Sequence, residues 1–265
     1  MSAISRNIFI ALVLLFLAAP LIVIFGVSLN EPKRLLFPPE GLSLQWYAEL
    51  FQASDWLNAL RNSIVIALGA STIAVSIALP LALYVWRKQN RLAKALFGLG
   101  VAPFMLPPVI SALGFMIFWI TVDFYGQIGA TIISHGVFLV TLPLVTISLG
   151  LEAIDRQLIE ASRTMGANDR TVFRTVIFPL ARPYMISGFA FAFVLSLNEY
   201  IIAYMVAGFT AETLPIKIFN SLRYGYTPVM ASVAVFFVMT AVLVFGCIAR
   251  FGDLPRLLGA ERSDR

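Results

Sequence analysis

Apolar residues fall into six long runs separated by polar stretches, over about residues 8–29, 60–86, 95–120, 129–150, 185–208 and 227–249. At 1.5 Å per helical residue, each run can cross a hydrocarbon layer of about 30 Å. The pattern predicts an all-α membrane protein with six transmembrane helices in a single domain over residues 1–265. Run one follows Arg6 as a signal peptide would. Its apolar length exceeds the roughly 7–15 residues of such a peptide, and no convincing cleavage site follows, so an uncleaved anchor is expected.

Two of the runs carry internal interruptions. Pro103, Pro107 and Pro108 in the third cannot all occupy a straight helix, because each lacks a backbone donor and clashes one turn back. A broken span must be covered by protein or line a wet cavity, so this kink is expected to face the bundle interior. Pro143 falls in the fourth run. Residues 30–58 read as an outer polar connection with a short amphipathic helix around Trp46, Tyr47, Leu50 and Phe51.

The polar stretch 151–184 differs from the other connections. It holds nine charged residues, Glu152, Asp155, Arg156, Glu160, Arg163, Asp169, Arg170, Arg174 and Arg182, whereas the 24 residues on either side hold only Glu199. A charged island between spans is a loop facing water. Leu151, Ile154, Leu158 and Ala161 recur at helical steps and predict a first amphipathic helix, with Gly166 as its C-terminal cap. Asn168 and Asp169 predict the start of a second, with an apolar stripe of Val172, Phe173 and Val176, which Pro179 ends or kinks. A pair of amphipathic helices requires a partner surface.

Composition supports the membrane reading, with 60% hydrophobic and 12% charged residues against about 45–50% and 25% in soluble domains. The net charge of +5 concerns orientation rather than nucleic acid. With both termini inside, 14 of the 19 Lys and Arg residues are cytoplasmic, including Arg87, Lys88, Arg91, Lys94 and a basic tail. Trp46, Trp56, Trp86 and Trp119 fall near span ends, as an interfacial belt would. The lone Cys247 supports no intramolecular disulfide framework and is expected to pack in the last span.

The chain lacks the motifs of several chemistries. No lysine sits in a phosphate-binding loop, so ATP hydrolysis by this chain is not expected, and no zinc-protease or nucleophile-elbow motif is present. One histidine cannot build a two-His metal site. His135 is expected to hydrogen-bond between helices. Glu199, flanked by Asn198 and Tyr200, is the one acidic residue well inside a span. It should face the bundle interior, either on a transport path or in an interhelical bond. A stand-alone secondary transporter would need ion-coupling residues on several spans, and only Glu199 is available.

Glu160-Ala161-Ser162, three residues, Gly166, nine residues and Val176-Ile177-Phe178-Pro179 resemble the "EAA, three, G, nine, I-x-L-P" loop of permease subunits in ATP-binding-cassette importers. Ser162, Val176 and Phe178 are conservative departures from that pattern. The resemblance implies the type I importer permease fold, with the loop as a coupling helix. It also implies a cytoplasmic ATPase dimer carrying ATP and magnesium, a second permease subunit, a periplasmic solute-binding protein, and residence in a bacterial inner membrane. No cofactor belongs to the chain itself. Residues Leu195 to Val235, Ser134-His135 and the WYAELF segment look like the membrane subunits of polyamine importers. Close polyamine relatives carry two acidic residues in span five where this chain has Asn198 and Glu199, which leaves one carboxylate to meet a dication. Related subunits carry opines, aminophosphonates and other small solutes. The resemblance assigns coupling to Glu160, Ala161, Ser162, Gly166 and Pro179, and the substrate path to Asn198 and Glu199.

Overall fold

A stripe of small residues holds the bundle together. In the computed structural model, which describes residues 3–225 and 227–251, Ala59, Ser63, Ala67, Ala70, Ser71, Ala74, Ala78 and Ala82 lie buried along one helix, α3 (Ser54–Lys88). Spaced three and four apart, they give α3 a flat face on which other backbones can approach closely, the usual way helices associate in lipid. Against it pack α6 (Ile128–Phe138), α7 (Thr141–Glu152) and α10 (Phe178–Asn198).

Other close approaches use glycine. A Cβ on Gly136 would stand 2.7 Å from Ile73 of α3, and one on Gly188 of α10 would stand 2.6 Å from the Pro143 Cα of α7. The core between these helices includes Leu144, Ile147, Leu151, Val172 and Ile177, all buried.

Among the described residues, four helices are long and apolar enough to cross a membrane: Ile4–Ser28, Ser54–Lys88, the continuous stretch Asp169–Asn198, and Val229–Ile248. Two bent pairs complete the six expected spans. The helices α4 (Arg91–Met105) and α5 (Pro108–Thr121) meet at 103°, and α6 and α7 at 41°. Both bends have prolines at or just after them, Pro107 and Pro108 in the first and Pro143 in the second. The Thr141 hydroxyl donates to the Gly100 carbonyl at 3.0 Å and ties the second bend to α4.

Several expectations are corrected. The α4–α5 break does not point into this chain: Met105, Leu106, Val109 and Ile110 around it are exposed. Among the tryptophans, Trp46, Trp56 and Trp119 are buried within apolar clusters, so they brace the ends of the bundle from inside rather than forming a belt. Cys247 is exposed on α13 (Val229–Phe251). The basic tail residues Arg256, Arg262 and Arg265 lie outside the described residues.

The fifth span departs most from its expected bounds. Pro179 does not end a helix, since the chain stays helical from Asp169 to Asn198. A π-helical turn at Phe173–Ile177 precedes the proline, and its wider winding accommodates the ring and the missing N–H. The same span stops early at Asn198, and a separate short helix, α11 (Ile201–Ala207), follows an extended residue, Glu199.

Beside the start of α3, α2 (Gln45–Gln52) forms where the amphipathic pattern placed a helix and buries Trp46 and Leu50. The connection before it is gathered around buried Asn30. Its Nδ2 donates to the Arg34 carbonyl, its Oδ1 accepts from the Glu40 amide, and its own carbonyl accepts from Trp46 Nε1. A further short helix, α12 (Leu214–Tyr224), lies against α3.

Candidate functional site

The polar island folds as a short projecting helix whose two ends are capped by its own residues. Asp155 accepts from the Gln157 amide at 2.9 Å and starts α8 (Arg156–Thr164). The helix therefore begins later than its apolar pattern suggested. Leu151 belongs to α7 and Ile154 to the turn, and both are buried in the core. Gly166 closes α8 with φ +87°, its amide bonded to the Arg163 carbonyl and the Ala167 amide to the Ser162 carbonyl. This is a Schellman cap, and it needs the left-handed backbone that glycine adopts without strain.

No residue of α8 is buried. Glu160 and Ala161 are exposed, and Ser162 turns its hydroxyl back to the Leu158 carbonyl at 2.7 Å. Leu158 and Met165, 49% and 88% exposed, extend an apolar stripe through Ala161 on the open surface. Asn168 caps the next helix, α9 (Asp169–Val172), by accepting from the Thr171 amide. Arg163 pairs with Asp169 at 3.0 Å and fixes α8 against α9. A cleft of about 460 Å³ beside the projection is lined by Trp86, Arg87 and Lys88 from the end of α3 and by Arg156, Glu160 and Arg163.

The structure thus brings Glu160, Ala161, Ser162 and Gly166 together on one helix and its cap, and leaves Pro179 on a separate element, in the first turn of α10. Asn198 and Glu199 stand at the far end of α10, roughly 30 Å from Pro179 at 1.5 Å per residue. These two neighbours point to different environments. Asn198 is exposed, its Nδ2 donating to the Val194 carbonyl at 2.8 Å. Glu199 is turned inward, with its side chain 11% exposed.

The Glu199 carboxylate accepts from the Ile202 amide at 2.9 Å and the Ala203 amide at 3.0 Å, so it caps the first turn of α11. His135 Nε2 of α6 stands 3.1 Å from Glu199 Oε2. His135 Nδ1 is 2.8 Å from the Ser196 hydroxyl, and Trp119 Nε1 donates to the Ser134 hydroxyl at 2.7 Å. Sequence reading singled out His135 and Glu199 separately but missed their pairing with Ser196 and the Ser134–Trp119 bond. The available signal was the run of polar residues within apolar spans, Ser134-His135 and Ser196 to Glu199.

Residues 74–253 match the family described as binding-protein-dependent transport system inner membrane component. The chain belongs to this family. Within it, the chain is 29% identical over 240 residues to the spermidine/putrescine transport system permease protein PotC of Haemophilus influenzae, covering 90% of this chain and 93% of the relative. It is 31% identical over 271 residues to the putrescine transport system permease protein PotI of Escherichia coli K12, covering 98% and 96%.

Solved structures agree in fold. A bacterial importer of the acidic polysaccharide alginate aligns with TM-score 0.67 at 16% identity, over 94% of this chain and 95% of its own. The MetNI methionine ABC transporter aligns with TM-score 0.62 at 20% identity, over 78% and 96%. The family member is therefore a translocation subunit of an ATP-binding-cassette importer with the type I permease fold, a multi-pass protein of the inner membrane, and not an enzyme.

Proposed function

We propose that this permease subunit serves an importer of polyamines or a closely related small amine solute. The observation that carries the solute class is the likeness to putrescine and spermidine/putrescine permeases along 90% or more of the chain, far beyond one shared loop. A probable molybdenum transporter permease of Haloferax volcanii is 28% identical, but over only 71% of this chain.

In this reading a periplasmic binding protein delivers solute at the outer face. ATP and magnesium act on a pair of cytoplasmic ATPases, whose closure drives two permease subunits between inward- and outward-facing states. The second permease is a homologous, different chain. Both termini are cytoplasmic, on the weight of basic residues in the inner connections. Helix α8, with Glu160, Ala161, Ser162 and the Gly166 cap, docks on an ATPase, and Pro179 belongs to the stem that carries its motion into α10. Support comes from the apolar stripe of Leu158, Ala161 and Met165, which lies open in the lone chain and becomes covered in a complex. Asn198 and the exposed α4–α5 break border the solute path, and Glu199 stands immediately behind it.

The test is uptake of radiolabelled putrescine by proteoliposomes holding this chain with its ATPase, sister permease and binding protein. ATP-dependent accumulation is expected. A binding protein that carries a solute without an amine, with no putrescine uptake, would overturn the solute class. Accumulation by this chain alone without ATP would replace the importer reading with a secondary transporter.

A further inference from the structure

Glu199 has an occupied carboxylate. Both oxygens accept a backbone N–H of α11, and Oε2 also faces His135 at 3.1 Å. His135 is 1% exposed and is itself held by Ser196, which lies three residues before Glu199 on the last turn of α10. The side chains therefore close a loop through three elements: α10 reaches α6 through Ser196, α6 reaches Glu199 through His135, and Glu199 holds α11. Around the loop lies an apolar cluster of Ala112, Trp119, Phe138, Leu139, Ala192, Ile202 and Val206, contributed by α5, α6 and α10 as well as α11. A carboxylate inside such a cluster is costly unless paired and hydrogen-bonded, and here it is both.

The place where this occurs matters for transport. Span five breaks at Glu199, and α11 beyond the break packs on α5, the outer half of broken span three. The angle between α10 and α11 thus sets how the outer half of span three stands against the fifth span. We infer that His135 and Glu199 form an internal latch that fixes the break in span five, so that Glu199 is a positioning residue and not the counter-ion of the translocated solute. This rests on the permease reading and refines it: cation recognition within this chain falls to groups that face outward, such as Asn198.

The experiment uses the assembled importer in proteoliposomes, with putrescine as probe and the variants Glu199→Gln and His135→Gln. For the latch, both variants lower maximal uptake and binding-protein-stimulated ATP hydrolysis by about tenfold, the scale of one lost interaction with a buried carboxylate, while the KM for putrescine moves less than about twofold. The double variant is no worse than the poorer single one, because both remove the same unit. A counter-ion role predicts the opposite split, with KM raised about tenfold or more by Glu199→Gln and unmoved by His135→Gln, and that result overturns the latch.

A second readout needs no solute. Hydrogen exchange at the Ile202 and Ala203 amides in the assembled complex should quicken about tenfold in both variants. Unchanged exchange in either would sink the proposal, whether or not putrescine is the cargo. Failure of the wild-type importer to take up putrescine bears on the solute class alone.

Discussion

Glu160 and Glu199 are two carboxylates of one chain with opposite surroundings. Glu160 stands on α8, a helix without a single buried residue, whose caps are satisfied locally by Asp155 and Gly166. Glu199 stands in a break of the membrane bundle and is satisfied by α11 amides and by a histidine 64 positions away. The first arrangement leaves side chains free for another molecule. The second turns both oxygens to internal partners. Exposure with local capping marks a surface that waits for a partner, and inward closure marks a joint that other motions must work through.

The sharpest test of the outward half of this contrast is Gly166→Asp. Nothing lies within 4 Å of a Cβ at this position, so the variant meets no steric wall. It costs about 1–2 kcal/mol of local backbone strain at φ +87°. If α8 is the docking element, ATP-driven uptake should fall roughly 10- to 100-fold, the scale of a lost coupling of 1–3 kcal/mol, while membrane insertion and thermal midpoint stay close to wild type. Gly166→Asn, which tolerates the left-handed backbone without adding charge, should keep most activity. Wild-type uptake by Gly166→Asp would remove the coupling assignment.

Gly188→Leu probes the inward half, with a smaller effect that appears in stability. A Cβ there would meet Thr146 Oγ1 at 2.5 Å and the Pro143 backbone at 2.6 Å, so α7 and α10 must separate. Overpacking of this kind costs about 1–3 kcal/mol. The expected result is a clearly lower midpoint in size-exclusion after heating in mild detergent. Gly98→Leu, at an exposed position with nothing within 4 Å, should leave that midpoint in place. Equal behaviour of the two leucines would show that the α7–α10 contact does not hold the bundle.

The two regions also differ in how legible they were. The two ends around Gly166 and Asn168 could be read from sequence, because these caps act over three positions, Gly166 to Arg163 and Asn168 to Thr171, whereas the start of α8 at Asp155 was placed too early, at Leu151, because the apolar spacing runs on from α7 into α8. The six apolar runs were legible because lipid demands continuous length. The break at Glu199 was not, since Asn198 to Ala207 reads as apolar sequence apart from its first residues, and the α6 histidine facing the carboxylate stands 64 positions away. Pro179 failed as a stop signal for a related reason: the π turn that accommodates it has no local sequence mark. The direction faced by the α4–α5 break was equally hidden, because proline composition dictates that a span breaks but not which side the break presents.

Lys217 gives the smallest expected effect and tests whether inward closure near the start of α3 resembles that at Glu199. Its ammonium lies 2.8 Å from Asp55 and 3.3 Å from Glu212, over the ring of Trp56 at 5.7 Å. Burial alone would make the ammonium easier to deprotonate, but the two carboxylates outweigh it and Lys217 holds its proton more tightly than an ordinary lysine. A raised value in the folded state means that this stabilisation is complete below the ordinary lysine value of about 10.5 and is lost as pH rises through the folded value above it. Lys217→Met should therefore cost no more than about 1 kcal/mol near neutrality, since the Asp55 side chain is 57% exposed and water screens the pair. The thermal midpoints of wild type and variant should converge as pH is taken above 10.5. A gap that persists there would mean that the charge of Lys217 is not what stabilises the contact of α12 with α3.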